Sequence, residues 1–199
     1  MGIVERRQRQ KEEVRTSILQ AAWQLVEQEG WQALSIRKIA DAIEYSVPVI
    51  YAHFQNKEAI LLEFTKEGFR LLAREIQQAK EKHDQPNQQL QAMAEAYWHF
   101  AFTHKEYYQL MFGLGIPACD TVRQVPEMQL FSDVLITVIQ KALAGSQQPH
   151  TDHMLKFHTF WSILHGLVSI QMIDRNATPS DWNRLVLQDA VAGFIKTLD

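Results

Sequence analysis

The chain is short of almost everything that would stabilise it other than a hydrophobic core. It has one cysteine, Cys119, in 199 residues, so no disulfide can close within it, which fits a reducing compartment. A lone cysteine of this kind reads as a small buried hydrophobe rather than a catalytic thiol. Long apolar runs are missing too. The best one, Trp161 to Ile173, is interrupted by His165 and Gln171 and is shorter than the ~20 residues that span a bilayer. The opening Met1-Gly2-Ile3-Val4-Glu5-Arg6 lacks the apolar core of about 7–15 residues of a secretory signal, and Arg6 stands where myristoylation needs Ser or Thr. No membrane association and a cytoplasmic location are expected. Positive charge is not in excess, since the net charge is −3, so no overall field draws the chain to nucleic acid; a local basic face would still suffice. Strand-like alternation is scarce, and no internal repeat or low-complexity segment occurs.

What is present is helical periodicity over a hydrophobic share of 46% and a charged share of 22%, ordinary values for a globular protein with a real core. Ile18, Ala21, Ala22, Leu25 and Val26 fall at i, i+3, i+4, i+7 and i+8, one face of a helix that Gly30 ends. Ser35 is a good N-cap for a short second helix carrying Ile36, Ile39, Ala40 and Ile43, though Lys38 stands where a capping box needs Glu. Glu44-Tyr45-Ser46 must turn the chain. Ser46 can cap a third helix, with Pro48 in its first turn, where a missing N–H costs nothing. A fourth helix, capped at about Asn56, runs to about Lys82. Further helices are expected over 88–104, 106–112, 126–144, 150–174 and 180–198, with Gly113, Gly115 and Pro117, the stretch 145–149 and the stretch 176–179 as breaks. The fold class is all-α with about nine helices: three short ones, a long connector, then a bundle.

Three short helices with a tight turn between the second and third suggest a helix-turn-helix reader. The stretch "YSVPVIYAHFQNKEAIL" then makes sense. Val47, Pro48 and Val49 form an apolar tip able to touch thymine methyl groups in a major groove. Tyr45 and Ser46 can bond a phosphate or base edge, and Tyr51 and His53 can reach flanking phosphates. Lys57 adds its charge to the N-terminal dipole of the fourth helix. Ile50 and Phe54 read as core. Through Lys57, eight basic residues stand against seven acidic ones, a balance of +1, which leaves −4 for the rest of the −3 total. Arg6, Arg7, Arg9 and Lys11 precede the predicted first helix and suggest a basic arm on the DNA backbone or minor groove.

The run "SIRKIADAIEYSVPVIYAHFQNKEAIL" resembles the DNA-binding domain of the TetR family of transcriptional repressors, most specifically in Tyr51, His53, Phe54, Lys57 and Ile60. A weaker likeness lies in "FWSILHGLVSI", where Trp161, His165 and Gly166 resemble a Trp-x-x-x-His-Gly signature of some C-terminal regulatory domains in that family. The resemblance implies a helix-turn-helix domain over 1–57, with Ser35, Arg37, Tyr45, Ser46, Val47, Pro48, Val49, Tyr51, His53 and Lys57 on double-stranded DNA. It implies a ligand-binding and dimerisation domain over 58–199, and a homodimeric repressor released from a palindromic operator by a small apolar effector. Two departures stand out. Glu44 occupies the turn where the family usually has Gly, and Pro48-Val49 replaces a frequent Gly-Thr, so a hydroxyl often used on DNA is absent.

Aromatic and sulfur residues gather in the second part. Trp98, Phe102, Tyr108, Met111, Trp161 and His165 are candidate walls of an apolar effector pocket. Gly166 and Ser169 would let another helix approach, within the chain or across a dimer. His150, His153 and Asp152 could hold a divalent metal, but the bland reading of a hydrogen-bonded histidine is preferred. No catalytic residue, metal or cofactor is assigned. Two alternatives stand at this point: a helical protein-interaction module without DNA activity, for which Glu44 and the missing hydroxyl speak, and an all-helical metal-dependent hydrolase, for which no His-Glu-x-x-His motif is present.

Overall fold

The computed structural model describes residues 2–113, 125–147, 150–173 and 180–198. Among these residues the chain is all-α, as expected, with nine α-helices: α1 Ile3–Glu29, α2 Ile36–Ala42, α3 Val47–His53, α4 Lys57–Lys80, α5 Pro86–Thr103, α6 Lys105–Phe112, α7 Glu127–Ala144, α8 His153–Gln171 and α9 Asp181–Lys196. Cys119, Gly115, Pro117, Pro149 and the break at 176–179 lie outside the described residues.

Local chemistry sets most helix ends. Gly30 stops α1 at φ 78°, its N–H returning to the Val26 carbonyl. Ser35 Oγ accepts the Lys38 N–H at 3.2 Å, and the Lys38 ammonium turns instead to Glu29 at 2.6 Å. Asn56 Oδ1 caps α4 by accepting the Ala59 N–H at 2.8 Å. Asp152 does the same for α8 through Met154 N–H at 2.8 Å, so α8 begins at His153 and His150 stands outside it. The start of α1 differs most from expectation. Gly2 N–H donates to Glu5 Oε2 at 2.9 Å, and a run of Arg, Gln, Lys and Glu, all good helix formers, follows. Arg6, Arg7, Arg9 and Lys11 therefore ride on an exposed helical extension of α1, not on an arm before it. Apolar spacing reports where a helix is buried, and this part is not.

The helices enclose two cores. Ile18, Ala22, Val26, Trp31, Ile39, Ile50, Phe54, Ile60 and Phe64 form the first, around α1 to α3 and the start of α4. Phe69, Leu72, Ile76, Tyr97, Phe100, Phe131, Phe160 and Phe194 belong to the second, built from the rest of α4 with α5 to α9. Two helices enter both. Along α4 the change falls between Phe64 and Phe69; in α6, Leu110 is buried in the first core while Tyr108 and Met111 are buried in the second. The Trp31 indole donates to the Glu106 carbonyl at 2.8 Å, and Trp23 stacks on Tyr107 at 4.3 Å between centroids. Helix α6 approaches α4 at Gly68, where a Cβ would lie 2.6 Å from Met111 Sδ and 3.1 Å from the Tyr107 ring. Any side chain there would have to displace the Met111 thioether and press on the Tyr107 ring.

These contacts can be tested by substitution. Trp31→Phe keeps an aromatic ring but removes the bond from the indole to the Glu106 carbonyl; it should lower stability by about 1 kcal/mol, read as a lower urea midpoint at unchanged m-value, and an unmoved midpoint refutes this. Glu44 is the only non-glycine with positive φ among the described residues, at 57°. Left-handed strain of roughly 1–2 kcal/mol outweighs the roughly 0.4–1 kcal/mol that glycine's extra unfolded-state freedom costs. Glu44→Gly should thus raise the melting temperature, and a fall would contradict the strain account.

Candidate nucleic-acid interface and buried polar site

The seven residues of α3 split cleanly by role. Ile50 and the following Phe54 are 0% and 3% exposed and anchor the helix in the first core. Arg15 of α1 sits over the Phe54 ring at 4.4 Å and pairs with Glu63 of α4 at 3.0 Å, so one guanidinium ties three elements together. Opposite the anchored face, Tyr45, Ser46, Pro48 and Tyr51 point to solvent, the two tyrosines 47% and 52% exposed. Ser46 has extended backbone at the N-cap but makes no capping bond, which leaves its hydroxyl for an outside partner. Val49 is half-buried. Val47, read from sequence as part of the tip, packs partly against the first core; it stands one turn before Ile50, on the anchored side.

The polar candidates are also spread unequally. Arg37 is exposed and forms no ion pair among the described residues. Ser35 is occupied as the N-cap of α2. Lys57 begins α4 and lies half-buried, its ammonium 3.5 Å from the Trp31 carbonyl, a long contact that a phosphate would readily displace. Burial, then the charges of Lys11 and Arg15, push His53 below the ordinary histidine value, against the opposing charge of Glu12. His53 is therefore neutral near pH 7 and offers a hydrogen bond rather than a charge. The same neighbours place Lys11 and Arg15 of α1 near His53, at the C-terminal end of α3.

In the second core, three of the six predicted pocket residues are joined by hydrogen bonds. Trp161 Nε1 donates to the Tyr97 hydroxyl at 3.3 Å, Tyr97 meets Tyr108 at 2.9 Å, Tyr108 Oη lies 2.7 Å from His165 Nδ1, and His165 Nε2 lies 3.3 Å from Ser169 Oγ. Burial raises the Tyr97 and Tyr108 hydroxyls well above the usual tyrosine range and lowers His165, so all stay neutral. Phe112, which the sequence reading passed over, packs on Tyr108 at 4.6 Å, His165 at 4.8 Å and Trp161 at 6.1 Å. Met111 lies under Gly68, away from this chain of bonds, and Trp98 pairs with Phe102 at 4.8 Å. Tyr97 and Phe112 were recoverable as the aromatic neighbours of Trp98 and Met111, but periodicity alone gave no reason to choose them. A separate groove of about 310 Å³ runs between α5 and α9 past Ala94, Leu187 and Val191. It touches none of the predicted pocket residues, and Gln188 and Arg184 hold Glu95 at its rim, at 3.2 and 3.4 Å.

Among the described residues no three of His, Cys, Asp and Glu converge as metal ligands would, and no helix is long and apolar enough to cross a membrane.

Comparison with known proteins agrees with this geometry. The profile described as bacterial regulatory proteins, tetR family, matches residues 18–64, which hold the first core and α3. That described as tetracyclin repressor-like, C-terminal domain, matches residues 90–189, half of the chain. No curated protein matches significantly. Similar solved structures include a protein of unknown function from Rhodococcus sp. RHA1, 22% identical over 92% of this chain and 94% of that one at a TM-score of 0.73. The TetR family transcriptional regulator PfmR from Thermus thermophilus is 19% identical over 90% and 97% at 0.66. The fatty acid degradation regulator FadR from Bacillus halodurans is 16% identical over 92% and 93% at 0.69. Identities this low speak for the fold alone; with the two profiles, they make the chain a member of the TetR family of DNA-binding transcriptional regulators.

Proposed function

We propose that the protein is a homodimeric repressor that leaves a palindromic operator when a small apolar effector binds its helical bundle. Residues 1–57 would form the DNA-binding unit and 58–199 the effector and dimer unit, acting in the cytoplasm where the DNA is. The observation that carries the reading is α3 itself: one face locked down by Ile50 and Phe54, the other offering Tyr45, Ser46, Pro48 and Tyr51 to solvent. Such a helix has no use for its outer face within the chain. In a major groove, Pro48 and Val49 would meet thymine methyls, Ser46 and Tyr45 a base edge or phosphate. Arg37, Tyr51, Lys57 and the N–H of His53 would hold phosphates, with Ser35 steadying α2 against the backbone.

Dimerisation is supported by a bare surface on the last two helices. Leu155 and Ile170 of α8 and Trp182, Leu185 and Val186 of α9 are exposed, Trp182 at 70%. Gly166 and Gly193 have nothing within 4 Å of a would-be Cβ. Within one chain those glycines cost helix stability without a packing return; against a second copy they would let backbones come close. An isologous pairing would present two α3 helices to one duplex, with half-sites about 34–36 Å apart or a multiple of that.

Selection from random duplexes should return an inverted repeat with that half-site spacing, and enrichment of unrelated sequences would refute the reading. Lys57→Ala and Tyr51→Phe should weaken binding to the selected duplex without changing base preference, with the Lys57 change lowering the salt slope by about 1. Replacing Trp182 and Leu185 together with Glu should leave helical content intact, give monomers in sedimentation and reduce operator affinity on the order of tenfold or more; a dimer that survives would place the interface elsewhere.

A further inference from the structure

The buried chain of bonds has a direction, and the direction says what the effector site can take. An indole N–H only donates, so Tyr97 accepts from Trp161. If Tyr97 also accepted from Tyr108, its own proton would be stranded at a fully buried position, at a cost of about 1–3 kcal/mol. Tyr97 therefore donates to Tyr108, Tyr108 donates to His165 Nδ1, and His165 Nε2–H donates to Ser169 Oγ. In this arrangement every N–H and O–H of the chain up to Ser169 is spent. What is left over are lone pairs: one on each tyrosine oxygen and one on Ser169.

Charge points the same way. Burial lowers the proton affinity of His165. The arginines of α4 are engaged at the surface, Arg70 with Glu127 at 2.6 Å and Arg74 with Glu67 at 3.9 Å. Among the described residues, an anionic head placed here would find one serine hydroxyl as a donor and no cation, and a buried unpaired carboxylate is expensive. Access exists from one side, since Phe112, Trp161, His165 and Ser169 are half-buried, whereas Tyr97 and Tyr108 are closed in.

We propose that this site accepts a neutral, mainly apolar molecule that donates one hydrogen bond, such as a phenol or alcohol, and discriminates against carboxylates of the same size and shape. The proposal rests on the reading of the bundle as an effector site.

The test titrates the full chain at neutral pH with para-heptylphenol, para-heptylbenzoate and heptylbenzene, following tryptophan fluorescence and the melting temperature. The phenol should bind about tenfold or more tighter than either of the others, one net hydrogen bond being worth about that factor. Ser169→Ala, a small change at the accessible end, should abolish the phenol's advantage over heptylbenzene, and Ser169→Thr, which keeps the hydroxyl, should retain it. Preference for the benzoate, or equal binding of phenol and heptylbenzene, overturns the proposal while leaving an effector site in place. Failure of all three to bind overturns the site and the proposal together.

Discussion

The structure depends on α6 being held by two cores at once. It is a helix of only eight residues, too short to stand alone in water. Its Leu110 is buried with α1 to α4, its Tyr108 and Met111 with α4, α5 and α8. The Trp31 indole grips the backbone carbonyl of Glu106, and the Tyr107 ring lies against Trp23. Burial together with the charges of Glu67 and Glu27 raises the Tyr107 hydroxyl to about 12, so the ring stays neutral in its stack. Neighbouring side chains on this one helix thus face opposite masters. A shift of α6 large enough to open the space around Tyr108 cannot leave Trp31 where it is. Trp31 in turn offers its carbonyl to Lys57, the first residue of α4 and the expected phosphate holder. The two ends of the molecule are linked through packed rings and two hydrogen bonds, with no flexible segment between them among the described residues.

How much of this was readable in the sequence depends on whether a feature is local. The anchored face of α3, the Gly30 stop and the Ser35 and Asn56 caps are set within a few residues, and spacing reveals such features. The left-handed backbone at Glu44 was legible through the resemblance, since the family usually has Gly at that turn. The helical state of residues 3–13 was not, since an exposed helix has no apolar stripe to betray it. The hidden partnership of Tyr97 was not either. It faces Tyr108, Phe131 and Trp161 from three different helices, and no rule of spacing within α5 distinguishes it from its neighbour Trp98. The partial burial of Val47 was hidden for a related reason: i to i+3 placement beside Ile50 turns it toward the first core, and a run of apolar letters conceals that geometry.

Charge at the DNA-facing end is also less generous than a count of residues implies. Lys38 is spent on Glu29 and Arg15 on Glu63 and the Phe54 ring, and His53 carries no charge near neutrality. Arg37, Lys57 and, on the extension of α1, Arg7 and Lys11 are the cations that could meet a duplex. That extension is helical, so Arg7 and Lys11, four residues apart, share a face. A rigid pair of cations loses less freedom on meeting phosphates than a loose arm would, and the helix fixes where along the backbone the two charges can land. On the proposed reading, a modest head with a balance of only +1 would gain much of its hold on DNA from where its charges sit.

The same reasoning constrains how an effector could act. Affinity for the bundle does not itself move a repressor; only a preference for one arrangement over the other does. The bond chain from Trp161 to Ser169 is already complete without a ligand, and a complete buried network is worth most when nothing in it is left over. A molecule that merely filled space beside it would stabilise the present arrangement. A molecule that must accept a proton from Tyr108 would break the bond to His165 and gain little. One that donates to a lone pair can keep the network and wedge Phe112 aside, and Phe112 closes the helix whose other face is fixed to Trp31. The preference for a second arrangement would then come from the aromatic wall around His165, with the hydrogen bond setting which molecules are admitted to push on it.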